Sequence, residues 1–253
     1  MLRSLKEIIG YTIKATNGEI GKVNDFLFDD SQWIVRYLVA DTGNWLIDRL
    51  VLISPYSIGK PEWKSKQFSV KLTKEQVKDS PKIENDMPVY RQEELKLTKY
   101  YGWPGYWKGM GMGGGPDAIV TLQEIPSRTD IKKNNEEIDE KYDSHLRSVN
   151  EVMKYNIKTI DDEFGQIYDI IVDDEKWQLR YFAVDTKKIL PGKKVLCAID
   201  WINSIDFSNS AVEVDMTKES IKNSPEYNPA EPINREYEEQ LYDFHGRPNK
   251  WWE

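Results

Sequence analysis

The sequence predicts an all-β protein with short helices, made of two tandem small β-barrels related by an internal duplication. The stretch Glu19 to Asp41, EIGKVNDFLFDDSQWIVRYLVAD, returns at Glu163 to Asp185 as EFGQIYDIIVDDEKWQLRYFAVD. A gapless offset of 144 positions extends the match outward, pairing Ser4 with Ser148, Tyr11 with Tyr155, Val51-Leu52 with Val195-Leu196, Thr73-Lys74-Glu75 with Thr217-Lys218-Glu219 and Gly102 with Gly246. The matched runs are β-rich and carry apolar residues on both parities, the pattern of strands in a small closed barrel. Solenoids and propellers repeat every ~20 to 50 residues, so a period this long makes each copy a domain expected to bury its own core. The implied organisation is a first barrel over 1–98, an aromatic arm and Gly-rich, charged linker over 99–143, and a second barrel with a C-terminal aromatic arm over 144–253.

The elements follow in order. A short strand at Tyr11 to Ala15 meets the hairpin signal Asn17-Gly18, and the next strand starts at Glu19. Within it Ile20, Phe26 and Phe28 share one parity while Val23 and Leu27 take the other, which predicts a bulge near Asp25. Asp29-Asp30-Ser31-Gln32 is turn chemistry, Trp33 to Ala40 a second strand, and Leu50 to Ile53 and Gln67 to Leu72 two more. Thr73 is a good N-cap with Gln76 at the capping-box position, and Ser80-Pro81 stops that short helix. A second short helix is expected from Arg91 to Leu97, and an exposed one over Asp130 to Tyr142.

Composition narrows the function. The chain is 31% charged with a formal net charge of −8 and a mean hydropathy of −0.67, as in a well-hydrated globular protein. Free nucleic acid is not an expected partner, since phosphate backbones call for a basic face and no dense Lys/Arg run is present. The single cysteine, Cys197, cannot form an internal disulfide, which suits the cytoplasm. No stretch approaches the roughly 20 apolar residues that span a bilayer, and the N-terminus lacks a signal-peptide core.

The Gly21-x-x-x-Asp25 strand, the turn aspartates, the Arg36-Tyr37-Leu38-Val39-Ala40-Asp41-Thr42 run and the Val51-Leu52-Ile53-Ser54-Pro55 strand together resemble the PRC-barrel family. The second copy matches too, including Leu190-Pro191-Gly192-Lys193-Lys194-Val195-Leu196. The resemblance implies a small β-barrel like those in the cytoplasmic part of the photosynthetic reaction centre H subunit and in the ribosome-maturation factor RimM. It implies an assembly surface without a shared catalytic set. The chain is most similar to stand-alone tandem PRC-barrel proteins of bacteria.

Candidate residues fall into two groups. Gly21, Asp25, Arg36 and Asp41, with Gly165, Asp169, Arg180 and Asp185, read as structural, Arg36 and Arg180 each seeking an acidic neighbour such as Asp25 and Asp169. Tyr100, Tyr101, Trp103, Tyr106 and Trp107, echoed by Trp251 and Trp252, read either as arms packed back on a barrel or as a partner-docking surface. His145, His245 and Cys197 lack the spacing of a zinc site or a nucleophile with its base, and the glycine run 109–115 lacks a phosphate-loop ending.

The expected function is therefore a non-enzymatic, cytoplasmic protein-interaction or assembly module, self-associating as a homodimer or binding a protein partner, with no cofactor or metal. The alternatives are a reaction-centre-H-like protein of photosynthetic electron transfer in a peripheral membrane complex, a RimM-like ribosome-associated factor, and a stress protein binding a small ligand or divalent cation.

Overall fold

The computed structural model describes residues 1–46, 50–83, 89–106, 146–186 and 193–248. The first repeat runs β1 (Leu2–Ser4), α1 (Leu5–Ile8), β2 (Thr12–Ala15), β3 (Gly18–Asp29), β4 (Ile34–Asp41), β5 (Val51–Ile53), β6 (Ile58–Glu62), β7 (Gln67–Val70), α2 (Lys74–Lys78) and α3 (Arg91–Tyr101). The second repeats that order as β8 (Leu146–Ser148), α4 (Val149–Val152), β9 (Asn156–Lys158), β10 (Glu163–Asp173), β11 (Leu179–Asp185), β12 (Lys194–Ala198), β13 (Ile202–Asp206), β14 (Ala211–Val214), α5 (Lys218–Asn223) and α6 (Arg235–His245). The fold is all-β with short helices, its strands forming two curled seven-stranded sheets.

Local signals explain much of this. Thr73 caps α2, its hydroxyl accepting from the Gln76 N–H while the Gln76 side chain reaches back to the Thr73 N–H. The hairpin turn falls at Thr16-Asn17, one residue before the expected dipeptide, and Gly18 pairs with Ala15. In β10 the register shifts between Ile167 and Asp169, beside the counterpart of Asp25. Helix α3 continues past Leu97 to Tyr101, because buried Leu97 holds it down and the left-handed Gly102 ends it. Strand β6 went unanticipated: its Gly59 and Pro61 argue against a central strand, and β6 sits at the outer edge of its sheet, where a missing N–H costs nothing. The helix expected over Asp130 to Tyr142 and the glycine run lie outside the described residues.

The chain divides into two compact units. One comprises Thr12–Lys22 and Val39–Leu146. Its interior is built from Ile13, Ile20, Leu52, Ile53, Phe68, Val70, Val77 and Leu97. The other comprises Met1–Tyr11, Val23–Leu38 and Arg147–Glu253, and so draws on both repeats. It contains the whole sheet β12-β11-β10-β9-β14-β13, with β1 of the first repeat added beside β10.

That addition corrects the expectation that each repeat closes on its own interior. Strand β10 is eleven residues long, yet β9 pairs only with its beginning, at Glu163 and Gln166. Its far end would expose unmatched backbone groups, and β1 covers them, pairing Leu2 with Asp173, Arg3 with Val172 and Ser4 with Ile171. Strand β8 pairs with β3 in the same way. Side chains give a second reason. Phe26, Leu27 and Phe28 are consecutive and buried, as are Ile170, Ile171 and Val172, so both faces of each strand need cover. The outer layer is aromatic: Trp33 stacks on Phe28 at 6.0 Å and meets Phe182 edge-on at 5.9 Å, while Phe26 lies 5.9 Å from Trp177.

Candidate functional site

Asp25 and Asp169 lie where the first repeat's residues 1–11 and 23–38 meet the second repeat. Ser4 has two tasks: its hydroxyl caps α1 by accepting from the Glu7 N–H, and it donates to the Asp169 carboxylate at 2.5 Å. The same carboxylate accepts from the Lys6 N–H at 3.1 Å and the Ile170 N–H at 2.7 Å. At the mirror position Ser148 caps α4 and donates to Asp25 at 2.5 Å, while Asp25 accepts from the Asn150 N–H at 3.0 Å and the Phe26 N–H at 2.8 Å. Burial raises both carboxyl pKa values, and the hydrogen bonds from Ser148 and Ser4 work in the opposite direction.

The pairing is reciprocal throughout. Arg3 donates to Asp174 at 3.0 Å and Arg147 to Asp30 at 2.7 Å. The Leu179 N–H donates to the Trp33 carbonyl at 2.7 Å and the Val35 N–H to the Trp177 carbonyl at 2.8 Å. Trp33 and Trp177 share a left-handed backbone, φ 58° and 57°, unusual for bulky side chains, and it turns their carbonyls toward this contact. When residue i of copy one meets j of copy two, and the equivalents meet in exchange, the relation is that of an isologous dimer written into one chain.

Arg36 is paired with Asp29 at 3.0 Å and with Gln32 at 2.6 Å, which corrects the expected Asp25 partner. Asp29 also accepts from the Ser31 N–H and hydroxyl and the Gln32 N–H. Burial acts to raise its pKa, but the Ser31 and Arg36 hydrogen bonds and the Arg36 charge prevail and hold it below the ordinary range. Asp169 is likewise engaged by Ser4 and Lys6, and the Arg180 charge acts instead on Glu238, the acceptor of the Tyr181 hydroxyl at 2.6 Å. Asp41 caps its own turn at the Gly43 N–H, 2.8 Å away, and in the strand register Asp185 stands opposite Gln166 of β10 and Lys194 of β12. Among the described residues no cluster of three or more His, Cys, Asp or Glu is arranged to hold a metal ion.

The first aromatic arm lies on its own unit. Trp103 is buried and donates its indole N–H to Ser57 at 2.7 Å, Tyr101 stacks on Trp103 at 4.3 Å, and Tyr100 meets Tyr101 edge-on at 4.8 Å. Tyr106 donates to fully buried Glu94 at 2.7 Å and accepts from Arg91 at 2.8 Å. Among the described residues of this unit the exposed aromatics are Tyr100, at 41%, and Tyr56, at 60%. Trp107, Trp251 and Trp252 lie outside the described residues.

A comparison with family models covers the strands of the first repeat from the exchanged β1 to the cap of α2. Residues 2–74 match the PRC-barrel domain. The match starts at β1, so the strand lent to the other repeat belongs to the PRC-barrel domain itself. A search of curated proteins finds no match to the chain.

In the second repeat, reactive groups are engaged in packing. Cys197 is buried in β12, and burial pushes its thiol up to about 12. His245, at the end of α6, lies 2.7 Å from the Ser224 hydroxyl and 3.1 Å from that of Ser220, against Trp201. Burial, aided by Arg247, pulls its pKa from 6.5 down to about 4. The folded state therefore holds the neutral ring, and between those values the unfolded chain binds more protons. Stability tied to this histidine is complete above about pH 6.5 and declines as pH falls toward 4. Thermal melts at pH 7.5 and 4.5 should show a smaller acid loss for His245→Gln than for the parent, and equal losses would reject the assignment.

An open groove of about 490 Å³ runs beside the Asp169 latch, lined by Lys6, Asn150, Lys154, Ile167, Tyr168 and Asp185 among others. The Lys6 ammonium sits 3.6 Å and that of Lys194 4.5 Å from the Tyr168 ring centre. Sequence reasoning missed Ser4 and Ser148 as partners of the aspartates, although their recurrence at the same offset was visible.

Proposed function

We propose that this protein is a non-enzymatic assembly module of two PRC-barrels, the second formed by the later repeat, which presents surfaces to a protein partner or to itself. The observation that carries the reading is the reciprocal latch of Ser4 with Asp169 and Ser148 with Asp25, which spends the most prominent recurring carboxylates on holding the repeats together. Buried Cys197 and the serine-bound His245 support the same view, since neither presents an accessible nucleophile with its base. Exposed Tyr56 and Tyr100 offer the kind of anchor that interfaces favour.

The test is capture of the tagged full chain after mild cross-linking, with the native mass measured in parallel. A complex of fixed stoichiometry is expected. A chain that stays monomeric, captures nothing and turns over a member of a broad substrate panel would overturn the reading.

A further inference from the structure

We propose that the lysine-bearing β6–β7 hairpin of one molecule docks head to tail on the carboxylate-bearing β13–β14 hairpin of a second copy of this chain. The proposal deepens the assembly reading and rests on it.

The two hairpins occupy equivalent places in the repeats, and each outer strand, β6 or β13, forms the end of its sheet. Their frames agree: Lys14 stands opposite Ser69 on the β2–β7 pair, as Lys158 stands opposite Glu213 on the β9–β14 pair. Their charges do not. Residues 58–71 carry four lysines and one glutamate, a net +3, whereas residues 202–215 carry three acids and no base, a net −3. At the same offset Lys64 and Lys66 become Ser208 and Ser210, Ser69 becomes Glu213, and Lys71 becomes Asp215.

The described lysines of the basic hairpin face solvent, and the acidic hairpin keeps an excess of carboxylates over its bound cationic side chains. Lys14, Lys64, Lys66 and Lys71 are exposed. On the other hairpin Lys158 binds Glu213 at 2.6 Å and also feels Asp206 and Glu163, while Arg247 binds Asp215 at 3.0 Å, so four carboxylates outnumber two cations. A charge of −8 repels copies of this chain at long range, so contact between them needs local surfaces of opposite sign. These hairpins supply one of each. Because the two surfaces differ, each copy brings one basic and one acidic hairpin, and repeated contact gives either a closed assembly or a growing chain of molecules.

Sedimentation velocity of the full protein at about 0.02 M and about 0.5 M salt tests this, since the contact is ionic and screened. Species larger than the 29.6 kDa chain are expected at low salt and loss of them at high salt. Lys64→Glu with Lys71→Glu, or Asp206→Asn with Glu213→Gln, should each weaken association about tenfold or more. Mixed in equal amounts, the two variants join one intact basic hairpin to one intact acidic hairpin and stop at pairs. Melting temperatures close to the parent's would show that both variants fold. Monomers at every salt concentration, or association indifferent to both variants, would overturn the proposal. So would a monomer that binds phosphatidylglycerol vesicles through Lys64 and Lys71, which would assign the hairpin to an anionic surface. If the self-contact fails while a different protein is captured in fixed ratio, the assembly reading stands without it.

Discussion

Gly21→Ala should cost about 3 kcal/mol or more, the largest loss expected of any small substitution in this protein. A Cβ at position 21 would overlap the Asp41 carbonyl oxygen and stand 2.9 Å from the carbonyl carbon and 3.0 Å from the Thr42 Cα. These are backbone atoms at the end of β4, so no rotamer change relieves the clash, and either strand must shift. The equivalent Gly165 has a milder problem. Its Cβ would meet the Val184 Cγ1 at 2.9 Å and the Asp185 oxygen at 3.1 Å, and its φ of +82° adds a penalty of roughly 1 kcal/mol. Urea unfolding should therefore rank Gly21→Ala as more damaging than Gly165→Ala. The reverse order would mean that the close approach of β3 to Asp41 is not a constraint on folding.

Asp169→Ala should follow, at about 2 to 3 kcal/mol, because it strands the Ser4 hydroxyl and the Lys6 and Ile170 N–H groups that now point at the carboxylate. Asp25→Ala should cost a similar amount by the same count of donors. Ser4→Ala removes one donor and one cap, and about 1 kcal/mol is expected. A double-mutant cycle of Ser4→Ala with Asp169→Ala should give a clear coupling energy, and strict additivity would exclude the latch. The pH dependence has a definite sign. Burial raises the pKa of Asp169 above 3.8, so the native state binds more protons than the unfolded chain between 3.8 and that raised value. This group therefore adds stability as pH falls through the window and loses it as pH rises, a contribution absent from Asp169→Ala.

What the sequence disclosed depended on the range of the interaction. The Thr73–Gln76 capping box was legible because its members are three residues apart. The repeat was legible from its constant offset of 144 positions, and two-sided burial from the parities of Ile20, Val23, Phe26, Leu27 and Phe28. The exchange of β1 and β8 was not, because apolar residues on both faces suit a closed barrel as well as a strand with a second sheet neighbour. A charge on so apolar a strand predicts an acidic neighbour for Arg36, such as Asp25, without fixing which one. The true partner is Asp29, and Asp25 is already engaged by Ser148, 123 positions away. For Trp103 the sequence leaves packing on a barrel and partner docking both open, since its partner Ser57 lies 46 positions earlier.

The lending of β8 to β3 also bears on how the polypeptide comes off the ribosome. Strand β3 ends at Asp29, and the residues that cover it begin at Leu146. At about 5 to 20 residues per second, the nascent first repeat waits several seconds or more with an open strand edge and an uncovered aromatic layer. Translation speed and chaperone supply thus become determinants of yield, and neither half can be deleted as a spare cassette without leaving the other permanently in that unfinished state.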